Sequence, residues 1–126
     1  MEQMSELRDQ IQNVIQNEDV AVFMKGTPQF VMCGNSERAL QALRGAGAPV
    51  TAVDVVPHPE IRQELATLSG WPTIPQVFIG GELVGGADIV QELAATGELE
   101  QKLSESLGAD YRDEAQERVV SVLVPA

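Results

Sequence analysis

Cysteine is nearly absent from this chain: 126 residues hold one, Cys33. A lone thiol excludes an internal disulfide framework, and the single histidine, His58, lies between two prolines with no second His or Cys at metal-ligand spacing. His58 therefore reads as a loop residue. Cations are also scarce, with 8 Lys and Arg against 19 Asp and Glu, a formal charge of -11. Such a balance opposes contact with the phosphate backbone of nucleic acids. It serves solubility or favours a basic protein partner. No apolar stretch approaches the roughly 18 to 20 residues that span a bilayer. The first residues, MEQMSELRDQIQ, lack the basic start and apolar run of a secretion signal. Neither nucleic acid nor membrane is expected as a direct partner, and a cytoplasmic location is expected.

What is present fits one ordinary domain, since a 44% hydrophobic chain of this length can bury a core without staples. Met4, Leu7, Ile11, Val14 and Ile15 recur at helical spacing, and Val20 to Met24 (VAVFM) is an unbroken apolar run. These predict a helix and a buried strand. Gly26 and Pro28 break the pattern; after Cys33, Ala39, Leu40 and Leu43 share a helix face until Gly45 and Gly47. Val50 to Val56 is a second strand, and Pro57 and Pro59 open a helix carrying Ile61, Leu65 and Leu68. Pro75 to Gly86 predicts two short strands around a Gly-Gly turn, and helices over Asp88 to Ala95 and Glu98 to Leu107 follow.

The first two strands are joined through a helix, which demands parallel pairing, and the last two by a hairpin, which demands antiparallel pairing. The expected fold is therefore α/β, a four-stranded mixed sheet flanked by helices on the thioredoxin-like plan. Residues 1–108 form the expected domain. Residues 109–126 change character, charged to about Arg118 and apolar from Val119 to Val124, and their role is unassigned. Such a tail can add an edge strand, dock on the domain or be disordered up to Arg118, and an exposed apolar run there would favour self-association.

Cys33 follows a Gly-Pro loop and immediately precedes a helix. There, unpaired N–H groups and the helix dipole favour a thiolate, and Lys25 at the start of the loop can add positive charge. The competing reading is a small core hydrophobe. Ser36 holds the position of the second cysteine in a C-x-x-C pair, so thiol exchange here needs an external thiol. Two further stretches stand out. In WPTIPQ (Trp71 to Gln76), Pro75 is either an ordinary strand starter, the reading the residues alone favour, or a cis-proline that turns the backbone of Ile74 toward a ligand. In GGELVGGADI (Gly80 to Ile89), Gly85 and Gly86 suggest backbone open to a ligand, while Asp88 reads equally well as a plain helix cap. Arg62 is by default a solvated side chain on its helix.

Taken together, KGTPQFVMCGNS, HPEIRQEL and WPTIPQVFIGGELVGGADIVQEL closely resemble the monothiol glutaredoxins of the single-domain bacterial type, whose signature is K-G-[ST]-P-x-x-P-x-C-G-F-S. The resemblance runs from about Ser5 to Leu107. It implies a glutaredoxin fold, noncovalent binding of glutathione, and a [2Fe-2S] cluster shared between two subunits, with roles in cluster transfer and iron and redox homeostasis. It places the reactive thiol and cluster ligand on Cys33, and the glycine carboxylate of glutathione on Lys25 and Arg62. Ile74, before a cis Pro75 and flanked by Thr73, would pair with the cysteine moiety, and Ala87 and Asp88, after Gly86, would hold the γ-glutamyl end. A [2Fe-2S] cluster takes four thiolates; two chains supply two, and two glutathione thiols supply the rest. A BolA-like protein and iron-sulfur recipient proteins are the implied partners.

Asn35 stands where the family has Phe, and Val31 where it has Pro. Asn brings polar atoms beside the cluster ligand, which should change cluster lifetime and thiol access. Three classes of function follow: a glutathione-dependent cluster carrier; a glutathione-dependent disulfide oxidoreductase of weak activity, acting on mixed disulfides through Cys33; and a glutathione-binding adaptor without turnover.

Overall fold

The computed structural model describes residues 2–124, with side chains described from Glu6 onward except at 114. Pro125 and Ala126, the end of the tail, and the side chain of Met4 lie outside the described residues. The chain begins with α1 (Glu2–Asn17) and β1 (Val20–Met24). Two short strands, β2 (Gly26–Thr27) and β3 (Phe30–Val31), pair antiparallel within the expected loop. They are followed by α2 (Gly34–Gly45), β4 (Val50–Asp54), α3 (Pro59–Ser69), β5 (Gln76–Ile79) and β6 (Glu82–Gly85). The chain continues through α4 (Ala87–Thr96), α5 (Glu98–Leu107), a 3-10 turn at Tyr111–Glu114, and β7 (Glu117–Val119).

The main sheet has the order β6-β5-β1-β4-β7. β1 pairs parallel with β4 and antiparallel with β5, so Val22 lies beside Ala52 on one side and Val77 on the other. All five residues of β1 are buried because both faces of the sheet are covered. Its even-numbered residues, Val20, Val22 and Met24, meet Leu40 and Leu43 of α2, Val90 of α4, and Leu99 and Leu103 of α5. Ala21 and Phe23 face the other way, toward Leu7, Ile11 and Ile15 of α1 and Ile61 and Leu65 of α3. Phe23 meets Phe78 edge to face, ring centroids 5.8 Å apart. Period-2 alternation in the strands and 3.6-residue spacing in the helices therefore meet in two apolar layers. No helix among the described residues is long and apolar enough to cross a membrane.

Two local boundaries differ from expectation. The second strand ends at Asp54 rather than Val56, because the Asp54 carboxylate accepts the N–H groups of Gly26 and Val56, both at 2.9 Å, and turns the chain out of the sheet. α4 starts one residue early, at Ala87.

The four expected strands form the mixed sheet, and the tail supplies a fifth. β7 pairs parallel with β4, with Val50 N–H donating to Gln116 O (2.8 Å) and Val120 N–H to Ala52 O (2.9 Å). Beyond it Val122 is buried in the α1–α3 layer, where Val120 and Val124 also pack, while Val119 and Leu123 point outward. The side-chain amide of Gln10 clasps the backbone of Leu123, donating to its carbonyl and accepting its N–H, each at 2.8 Å. Of the three behaviours open to the tail, edge pairing and docking both occur.

Candidate functional site

The segment that carries Cys33 is pinned at several points. Gly26 has φ +94, and a Cβ there would sit 2.2 Å from the carbonyl oxygen of Phe30, so only glycine lets the chain fold back this tightly. Gly26 N–H donates to Asp54 (2.9 Å), Lys25 N–H to the hydroxyl of Ser36 (3.1 Å), and Met32 N–H to Lys25 O (2.9 Å). Arg44 of α2 also reaches back, donating to Pro28 O (3.1 Å) while engaging Glu117 of β7 with two further bonds. That ion pair holds the Glu117 carboxyl below its ordinary value, chiefly through the Arg44 hydrogen bond.

Cys33 caps α2 in extended conformation (φ -153, ψ 134) and its carbonyl accepts Glu37 N–H at 3.0 Å. The thiol is half-buried. Its pKa lies below that of an ordinary thiol, mainly because the backbone N–H of Ser36 stabilises the thiolate; partial burial opposes this, and Asn35 N–H, the Ser36 hydroxyl and the Lys25 charge assist it. Phe30 and Met32, just before Cys33, are exposed.

Beside α2 opens a cleft of about 290 Å³, with Asn35 on one side and Trp71, Thr73, Ile74 and Pro75 on another. Gly86, Ala87, Asp88 and Ile89 complete it. The Ile74–Pro75 peptide bond is cis, the alternative that the residues alone did not favour. Gln76, 1% exposed, donates from its side-chain amide to the carbonyls of Trp71 (2.7 Å) and Thr73 (3.2 Å), which ties down the loop before Pro75. A side chain at Gly86 would press on the Pro75 carbonyl at 3.3 Å and the Trp71 indole at 3.5 Å. Gly86 caps α4, so the first-turn N–H groups of Ala87 and Asp88 lack intrahelical acceptors and suit an anionic group.

The cleft thus brings together six of the residues singled out, Thr73, Ile74, Pro75, Gly86, Ala87 and Asp88, with Asn35 opposite. Cys33 lies two residues from Asn35, at the start of the same helix, and outside the lining. Lys25 and Arg62 are also outside it, on the β1–β2 connection and on the exposed side of α3. Among the described residues, five arginines (Arg8, Arg38, Arg44, Arg112 and Arg118) engage carboxylates, whereas Lys25, Arg62 and Lys102 do not. Two of these three unpaired cations are the pair expected to meet a ligand carboxylate.

Comparison with known proteins decides the family. The glutaredoxin family model matches residues 20–84. Glutaredoxin 4 of Pasteurella multocida (strain Pm70) is 42% identical over 109 residues, covering 86% of this chain and 99% of that protein. The chain belongs to the glutaredoxin family. A monothiol glutaredoxin of Oryza sativa subsp. japonica is 46% identical over 79% of this glutaredoxin and 20% of the rice protein. A crystal structure of a buckwheat glutaredoxin-glutathione complex superposes with a TM-score of 0.73 at 28% identity, over 83% of this chain and 94% of that one. The monothiol resemblance is therefore borne out, and so is the thioredoxin-like fold.

Several contributors to this glutaredoxin site were not foreseen. Trp71 and Gln76 lay within a quoted motif, but their work on the neighbouring loop is a tertiary matter. Arg38 of α2 reaches Asn35, Asp88 and Gln91. Its only sequence signal was the three-residue spacing from Asn35, which puts both on one helix face.

Proposed function

We propose that this glutaredoxin binds glutathione in the cleft and that two chains and two glutathiones carry a [2Fe-2S] cluster for delivery to recipient proteins in the cytoplasm. The observation that carries this reading is the chain's only thiol, half-exposed and biased toward thiolate, at the start of the helix that borders a cleft of ligand size. One cysteine per chain leaves a four-thiolate cluster two ligands short even in a dimer, and glutathione thiols make up the difference. Lys25 and Arg62 take the glycine carboxylate, the backbone of Ile74 with Thr73 and Pro75 takes the cysteine moiety, and Gly86, Ala87 and Asp88 take the γ-glutamyl end. That the buckwheat relative is crystallised with glutathione supports the ligand. Exposed Phe30 and Met32 beside Cys33 offer apolar surface to a second copy, to a BolA-like protein or to a recipient.

The lowered thiol pKa also favours a second reading, glutathione-dependent reduction of mixed disulfides. Cys33 thiolate attacks the glutathionyl sulfur, forms a Cys33–glutathione disulfide and releases the target thiolate. A second glutathione then regenerates Cys33 and leaves as oxidised glutathione. Anaerobic reconstitution with iron, sulfide and glutathione, followed by visible circular dichroism and size exclusion, separates the two. A coloured dimer that requires glutathione and is lost in Cys33→Ser supports the carrier. A colourless monomer that turns over a glutathionylated disulfide supports the reductase.

A further inference from the structure

Arg38 has no part in the roles above, yet it joins two polar side chains that line the cleft from different helices. Its Nη1 donates to Oδ1 of Asn35 (2.7 Å), its Nη2 and Nε donate to Oε1 of Gln91 (2.7 and 3.0 Å), and its Nη2 also donates to Oδ1 of Asp88. Four of the guanidinium's five N–H groups are thus engaged, tying α2 to α4 across the site. Asn35 and Asp88 line the cleft and Arg38 does not. We propose that Arg38 is a positioning residue that makes the cleft select ligands with a free α-carboxylate beside their α-ammonium, as in a γ-glutamyl group, over ligands that carry the ammonium alone.

This inference rests on the glutathione reading. Its physical basis is the charge at the α4 end of the cleft. Without Arg38, the Asp88 carboxylate would attract any ammonium group, whatever else the ligand carried. With Arg38 bound to Oδ1, much of that charge is offset, and Oδ2 remains to accept an ammonium proton. A ligand bearing only the ammonium then gains less from Asp88 and meets the guanidinium's field. A ligand that also bears a carboxylate recovers that loss, because its negative charge lies near the guanidinium and near the unpaired N–H groups of Ala87 and Asp88. The side chains of Arg38 and Asp88 are 41% and 88% exposed, so water screens this selection and its size is moderate.

Calorimetric titration with glutathione and with 4-aminobutanoyl-Cys-Gly, which keeps the ammonium and lacks the α-carboxylate, tests the idea. The unmodified chain binds glutathione more tightly, and in Arg38→Gln the ratio of the two affinities falls about threefold. Arg38→Lys, which keeps the charge and loses the fork, restores most of the ratio. If Arg38→Gln is folded by circular dichroism and weakens both ligands equally, Arg38 is only a strut between helices and the inference is overturned. If the unmodified chain binds no glutathione, the glutathione reading itself falls, and the inference with it.

Discussion

The two walls of the cleft are built in different ways. The wall made by Thr73 to Pro75 and Gly86 to Asp88 is a loop and a helix start, held by the buried amide of Gln76 and by the close approach of Gly86 to Pro75 and Trp71. On the α2 side the lining is the side chain of Asn35, with Arg38 behind it and Cys33, preceded by exposed Phe30 and Met32, two residues away. This first wall tolerates little change where it rests on Gln76, since a shift there costs hydrogen bonds of a buried amide. A side-chain wall can be altered one residue at a time without disturbing the fold. Both departures from the monothiol signature, Val31 and Asn35, lie on the segment leading to and including the α2 wall.

Breaking the wall held by Gln76 has the largest expected effect. Gln76→Ala leaves the carbonyls of Trp71 and Thr73 without their donor and opens a small cavity, for a loss of about 3 kcal/mol. Urea unfolding measures it, and on the proposed reading glutathione affinity falls with it. A midpoint unchanged from the parent would mean that the loop before Pro75 is held by something else.

An intermediate effect is expected where the α2 wall meets the thiol. The Cys33 pKa is lowered in the folded chain, so thiolate is present at pH values where an ordinary thiol is still protonated, and its reactivity falls off as pH drops through that lower value. Ser36→Ala removes the hydroxyl contribution and keeps the backbone one. The iodoacetamide rate profile against pH therefore moves upward but stays below that of the unfolded chain. A profile that does not move would show that the hydroxyl contributes nothing and leave the lowering to the backbone N–H groups and the Lys25 charge. Lys25 N–H also loses its acceptor, at a cost of about 1 kcal/mol.

Asn35→Phe sharpens the contrast at the smallest cost to the fold, because Asn35 is exposed. On the proposed carrier reading, Phe shields Cys33 with apolar surface and lengthens the lifetime in air of a reconstituted cluster by a few-fold. Decay of the visible absorption measures this, and an equal or faster decay would show that Asn35 does not open the site.

Legibility divided along similar lines. The helices and strands were readable because their signals are local. Leu7, Ile11 and Ile15 are spaced for a helix, VAVFM is apolar throughout because both its faces are covered, and Gly80-Gly81 marks a hairpin. Thr73 to Pro75 and Gly86 to Asp88 were reached through the resemblance to the monothiol glutaredoxins, which the residues alone supported only for the Gly85-Gly86 stretch. The cis state of Pro75 was not decided by the residues alone, since proline opens strands in either isomer.

What the sequence determined by itself was the order of the five helices and the four central strands, the two apolar layers and the presence of one thiol at a helix start, because each depends on neighbours a few residues apart. Tertiary structure alone decided that residues from the tail would become β7 beside β4, that Arg44 would join Glu117 to Pro28, and that Arg38 would span 50 residues of chain to reach Asp88. Polar side chains of this kind carry no periodicity, and their partners are chosen only when the packed layers bring distant segments within hydrogen-bond reach.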